Sequence, residues 1–136
     1  MIHQKEIHLP PYKRGFHLIT HIIEKAFPEL PQTGIMNILI KHTSAGLTLN
    51  ENADPSVRYD FENFFNTLVP EGHQVFTHDT EGQDDMPAHI KTSLTGAHLT
   101  VPISNGKLNL GVWQGIYLCE YRNKGGSREL VVSVYS

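Results

Sequence analysis

Four short apolar runs close the chain, AHLTVPI, KLNL, GIYLCEY and RELVVSVY, and turn formers punctuate them: Asn105-Gly106, Gly115 and Lys124-Gly125-Gly126. Short runs rich in β-branched and aromatic residues, joined by tight turns, imply antiparallel strands. The same logic extends upstream. GIMNILIK (34–41) is too continuously apolar for a half-exposed strand, so it is expected to cross the centre of a sheet and deliver His42, Thr43 and Ser44 at its end. Gly46 then interrupts the run before LTLN resumes with period-two alternation, which predicts a turn or bulge followed by a second strand. IHQKEIHL (2–9) alternates loosely and meets Pro10-Pro11, as an edge strand would.

Helical spacing appears in three places. From Gly15 to Phe27, Phe16, Ile19, Ile22, Ile23, Ala26 and Phe27 recur every three or four residues, and Pro28 ends the pattern. His17 and His21, one turn apart on that helix, interrupt a stripe whose main task is packing. Asp54-Pro55 is a strong helix start, an N-cap acceptor followed by a residue with no donor to leave unpaired, and Val57, Phe61, Phe64, Phe65 and Leu68 supply its apolar face. Asp85 and Pro87 open a short third helix that Gly96 terminates. The expectation is an α+β fold, with compact, mostly antiparallel sheet layers, two main helices and one short one, forming a single domain over residues 1–136.

Composition narrows the partners. Eleven basic against fourteen acidic side chains give a formal charge of −3, and no Lys/Arg cluster offers a phosphate backbone a landing site, so nucleic acid is not expected. The opening residues are too polar for a secretory signal and no apolar segment is long enough to span a bilayer, so a cytoplasmic protein without a membrane partner is expected. Cys119 is alone, which excludes an intrachain disulfide and a four-thiolate zinc site, and reads as a small packed strand residue.

The chemistry concentrates in three polar stretches: HTSAGLTLNENAD (42–54), THDTEGQDDMPAHIK (77–91) and GVWQG (111–115). If they converge, two readings compete. Neutral imidazoles from His42, His78 and His89 could supply three metal ligands and leave a position for substrate, although their spacing matches no standard zinc signature. Alternatively, Thr43, Ser44 and turn amides hold anion oxygens while a histidine or carboxylate moves a proton. Asp85, four residues before His89, can reach that ring on a helix and fix its tautomer, or can serve only as a cap. Glu81, Asp84 and Asp85 form an acidic series suited to magnesium or to solvent. Ser44 lies in no GxSxG elbow, which argues against a serine nucleophile. Between its glycines, Gln114 can aim an amide into a site that Trp113 walls, or both can be structural.

Together, HTSAGLTLNENAD, EGQDDMPAHIK and LTVPISNGKLNLGVWQGIYLCEYR resemble the YjbQ family, often labelled secondary thiamine-phosphate synthase, along essentially the whole chain. The resemblance implies a compact α+β homotrimer with polar clefts near subunit boundaries. Its activity joins a pyrimidine pyrophosphate to a thiazole phosphate, releasing pyrophosphate and forming thiamine phosphate. It carries over His42, Thr43, Ser44, Asn50, Glu51 and Asp54, then His78, Glu81, Asp84, His89 and Lys91, then Trp113 and Gln114. Val112 stands where that pattern has threonine. The expected roles are catalysis for His42, His89, Glu51 and Gln114, and substrate binding for Thr43, Ser44, Asn50, Lys91 and Trp113. A divalent ion, zinc or magnesium, would be held by His42, His78 and His89, with Glu81, Asp84 and Asp85 as supporting or magnesium-binding acids. A non-catalytic, trimeric metal- or small-ligand-binding module is the alternative.

Overall fold

The computed structural model describes residues 1–136. Its elements run β1 (Ile2–His8), β2 (Gly15–Leu18), α1 (Thr20–Ala26), β3 (Thr33–Ile40), β4 (Ala45–Glu51), α2 (Pro55–Leu68), α3 (Asp85–Thr95), β5 (His98–Ser104), β6 (Lys107–Leu108), β7 (Gln114–Glu120) and β8 (Glu129–Tyr135). All strand pairs are antiparallel, in a five-stranded sheet ordered β1-β8-β3-β5-β6 and a three-stranded sheet ordered β2-β7-β4. The fold is α+β. As expected, β1 lies at a sheet edge and β3 in a sheet interior.

Period-two alternation sorts the residues into layers. Met36, Ile38 and Ile40 of β3, with Leu130, Val132 and Val134 of β8, face Ala45 and Leu47 of β4 and Ile116 and Leu118 of β7, and α1 closes this core with Ile19 and Ile23. The intervening residues of β7, Tyr117 and Cys119, point the other way. They meet Phe16, Phe61, Phe65, Tyr121 and Ala88 beneath α2 and α3. Four of these rings lie 5.4 to 6.2 Å apart between centroids, with edge, tilted and stacked contacts that each add about 0.5–1.5 kcal/mol beyond burial. Cys119 belongs to this apolar layer, and burial pushes its thiol up to about 12.

Three local expectations are corrected. Residues 15–18 form β2, and the helix begins only at Thr20, because pairing with β7 satisfies that strand's edge while burying Phe16 against the aromatic layer. The shortest helix is therefore α1, and the third helix runs eleven residues. On α2, Asp54 caps the helix by accepting from the Ser56 amide as anticipated, but only Val57, Phe61 and Phe65 turn toward the sheet. Phe64 and Leu68, 63% and 54% exposed, fall on the flank. Gly46 is neither turn nor bulge: it lies inside β4, where a Cβ would strike Thr95 and the Gly96 carbonyl at the end of α3.

The crossing from β3 to β4 places residues 41–44 at one end of the sandwich, beside the start of β8 and the end of α3. The far end of β4, Asn50 and Glu51, pairs with Gly115 and Gln114. At about 3.3 Å per residue the two ends of β4 are roughly 20 Å apart. No helix is long and apolar enough to cross a membrane.

Candidate functional site

Asp84 and Asp85 begin α3, and the carboxylates of both are drawn to one cation, Arg122, just past β7. The guanidinium donates to Asp85 Oδ1 through Nη1 at 2.6 Å, to Asp84 Oδ2 through Nε at 3.1 Å and to the Glu81 carbonyl through Nη2 at 2.8 Å. Asp84 also accepts from the Asn123 amide at 2.8 Å. Gly82, at φ +112°, lets the chain fold this closely, since a Cβ there would sit 3.0 Å from Asp84 Oδ1. Burial pushes both carboxyls up. The His78 contact and the Arg122 charge outweigh it at Asp85, and the Asn123 amide and Arg122 at Asp84, so both stay below the usual carboxylate range.

The second oxygen of Asp85 meets two histidines. Its Oδ2 is 2.7 Å from His78 Nε2 and 3.1 Å from His89 Nε2, the latter one helical turn along α3. The other nitrogen of His89, Nδ1, lies 2.8 Å from the Thr43 carbonyl oxygen. A carbonyl can only accept, so Nδ1 carries a proton. A neutral His89 ring would then turn the Nε2 lone pair toward the Asp85 carboxylate, two acceptors face to face. That contact becomes attractive only when positive charge stands there, either a second proton on the ring or a cation between the groups. The ligand atoms of His78, Asp85 and His89 lie within 4.8 Å of one another. Asp85 is 2% exposed at its side chain while the imidazoles are 40% and 30% exposed, so the cluster is anchored inside and open outside.

His42 is absent from this triad. Its Nε2 accepts the Glu129 backbone N–H at 2.8 Å, which places the ring proton on Nδ1. Burial, then the Arg128 charge, hold the ring below its ordinary pKa. Arg128 belongs to a buried fork: Nε and Nη2 donate to the two carboxylate oxygens of Glu120 at 2.7 and 2.6 Å, and Nη2 also reaches Ser44 Oγ at 3.0 Å. Glu120 is 0% and Arg128 5% exposed, and Gly125 passes so close that a Cβ would collide with both. Ser44 is spent on this fork. Thr43 is exposed, and with His42, His89, Thr92 and Ser93 it lines an open groove of about 340 Å³.

The remaining expected residues lie elsewhere. Lys91 is 2% exposed, its Nζ donating to Asn66 between α2 and α3 above the Tyr121 ring, and burial lowers its pKa. Such a lysine does not reach a phosphate in the groove. Glu81 offers the network its carbonyl, while Asp84 is engaged by Arg122 and Asn123. At the far end of β4, Glu51 accepts from the Ala53 and Asp54 amides, Asn50 from the Glu51 amide, and Gln114 from the Gly111 amide. Trp113, 63% exposed, accepts from Asn52 through its carbonyl. The three polar stretches therefore do not converge on one point within a chain: residues 42–44 meet the 77–91 stretch, whereas residues 50–52 meet the 111–115 stretch at the other end of β4. Arg122 and Arg128 were missed as site residues; adjacent Asp84-Asp85 demanded a cation, but nothing in the local pattern said which.

The family model described as UPF0047 protein YjbQ-like matches residues 5–136. The chain belongs to the YjbQ-like UPF0047 family. The UPF0047 protein YjbQ of Escherichia coli is 46% identical over 98% of both chains, and that of Salmonella typhimurium 48% identical over the same shares. Among solved structures, an uncharacterised conserved YjbQ/UPF0047-family protein of Clostridium acetobutylicum superposes with a TM-score of 0.84 at 35% identity, covering 96% of this chain and 98% of that one. A conserved hypothetical protein of Thermus thermophilus gives 0.83 at 34%, covering 94% and 97%. The YjbQ-like fold is thus common to chains from distant bacteria.

Proposed function

We propose that this YjbQ-like protein is a metal-dependent enzyme of the thiamine-phosphate synthase type, acting on small phosphorylated heterocycles in the groove beside His42 and His89. The observation that carries the reading is the Thr43 carbonyl on His89 Nδ1, which leaves Nε2 directed at an ionised, buried carboxylate shared with His78. A backbone carbonyl behind a ligating imidazole is the usual outer support of a metal-binding histidine. Two imidazoles and one carboxylate suit zinc or a neighbouring transition ion better than magnesium, which prefers oxygen donors. Asp85 thus replaces His42 in the expected ligand set, and His42 becomes a donor.

A divalent ion bound there would supply positive charge for the oxygens of a departing pyrophosphate. The chain's own groups supply the rest. Arg122 keeps Asp85 ionised, Thr43 orients His89, and neutral His42 offers an Nδ1–H at the groove wall. Thr43 and Ser93 add hydroxyls there, and the absence of a groove lysine leaves the ion as the main anchor for phosphate. Glu51, Gln114 and Trp113 join the groove only from a neighbouring subunit, in keeping with the homotrimer the family resemblance implies.

Metal analysis of purified protein, with and without His89→Ala and Asp85→Asn, tests the reading. Stoichiometric metal lost in both folded variants supports it, and metal-free protein that does not take up zinc or manganese overturns it. Incubation with the pyrimidine pyrophosphate and thiazole phosphate then separates enzyme from binding module: ion binding without product, in trimeric protein, rejects the synthase assignment.

A further inference from the structure

The central strand of the smaller sheet, β7, ends on a carboxylate that faces neither the groove nor solvent. Glu120 lies between Gly15 of β2 and Ala45 of β4, is 0% exposed, and accepts three hydrogen bonds. Two come from Arg128, through Nε to Oε1 at 2.7 Å and through Nη2 to Oε2 at 2.6 Å, and the third from the Arg122 backbone N–H to Oε2 at 3.1 Å. Each of the two donor residues leads to one side of His89. Arg128 Nη2 also holds Ser44, at 3.0 Å from its hydroxyl and 3.3 Å from its carbonyl oxygen, while the adjacent Glu129 N–H holds the His42 ring at 2.8 Å. Thr43 is thus pinned through both of its neighbours, and its carbonyl is the group that meets His89 Nδ1. On the other arm, Arg122 extends from the backbone that Glu120 holds to the Asp85 carboxylate facing His89 Nε2. Neither arm is needed to close the strand, because backbone pairing with β2 and β4 already does so. A buried ion pair is often no more stable than a well-packed apolar pair of the same size, whereas a fork of fixed donors sets direction.

We propose that Glu120 is the positioning residue of the ion cluster: through Arg128 it fixes the Thr43 carbonyl behind His89, and through the Arg122 backbone it fixes the guanidinium behind Asp85. The group facing each nitrogen of the His89 ring is then set from one buried point. The inference rests on the ion-site reading and goes beyond it, because Glu120 acts only through other residues. Partners that orient metal ligands in this way are worth about 10- to 100-fold in affinity.

The test is zinc affinity, measured by competition with a chelating dye on folded full-length protein, together with the urea midpoint and the visible bands of bound cobalt, which report ligand geometry. Glu120→Gln/Arg128→Met removes both charges at once, so no unpaired ion is left buried and the fold should persist. This double variant should bind zinc at least about tenfold more weakly than wild type and shift the cobalt bands, with a urea midpoint close to wild type. Arg128→Lys retains the charge opposite Glu120, but a single ammonium lacks the fork that serves Glu120 and Ser44 together, so it should show the same loss, and it decides the matter if the double variant does not fold. Unchanged zinc affinity, or unchanged cobalt bands, in the folded variant would overturn the proposal, since a purely structural pair moves the urea midpoint alone. Wild-type protein that binds no zinc would instead overturn the ion-site reading beneath it, so the two failures are distinguishable.

Discussion

The two ends of β4 both gather polar residues and treat them in opposite ways. At the His42 end, charged groups are drawn inside: Asp85, Glu120 and Arg128 are each at most 5% exposed and joined by ionic hydrogen bonds. At the Glu51 end, the carboxylate and the Gln114 amide brace nearby backbone amides at the surface. Burying charge is expensive even when it is paired, and an apolar replacement is often no less stable. Surface bracing costs little. The contrast teaches that the His42 end holds an arrangement that stability alone does not demand, and that it is the place to look for chemistry.

The largest expected effect follows from that burial. Arg122→Met leaves two buried carboxylates without their cation and should cost about 3–5 kcal/mol, read from urea unfolding. Gln114→Ala at the opposite end removes one exposed hydrogen bond and should cost about 1 kcal/mol or less. Equal losses would erase the comparison. Next in size is the response to ion: zinc at a hundred times its Kd should stabilise the protein by about 2.7 kcal/mol, and Asp85→Asn should abolish the gain while Glu51→Gln retains it. Thermal melts in zinc and in chelator decide between them.

Mixing sharpens the comparison further, since the two ends can cooperate only between chains. Under the proposed synthase activity, His89→Ala and Gln114→Ala should each depress turnover. If the protein forms the proposed homotrimer, assemblies made from equal parts should recover up to about a quarter of wild-type activity, because one ordered pair of neighbours in four carries both intact groups. Mixtures no better than either parent would mean that the Gln114 end takes no part.

Much of this architecture is legible in the sequence. The Asp54-Pro55 cap, the central course of residues 34–41 and the delivery of His42 and Thr43 at its end follow from local rules, and the four-residue step from Asp85 to His89 places both on one helix face. What stays hidden depends on distant partners. Arg122 meets Asp85 across 37 positions, and Arg128 meets Ser44 across 84, so no window of sequence contains either pair. Lys91 reads as a phosphate ligand until α2 packs over it and Asn66 takes its ammonium. Residues 15–18 satisfy helical spacing, yet the free edge of β7 claims them. Local periodicity cannot register competition from a strand a hundred residues away.

The smallest expected effect concerns His42, the one histidine at the busy end held by a backbone donor. Its Nε2 accepts from Glu129 N–H only while neutral, and burial together with Arg128 keeps the folded pKa below the ordinary 6.5. The sign is then fixed. As pH falls through 6.5 the unfolded chain takes up a proton that the folded chain still resists, so stability present above 6.5 declines until the folded pKa is passed. His42→Gln offers an oxygen acceptor to the same amide and cannot titrate. Wild-type protein should therefore lose more stability than His42→Gln between pH 7.5 and pH 5, measured as the shift in urea midpoint, while a Gln114→Ala chain keeps the wild-type slope. Parallel slopes for wild type and His42→Gln would show that this ring titrates alike in the folded and unfolded states. That result would remove His42 from the neutral donors of the groove.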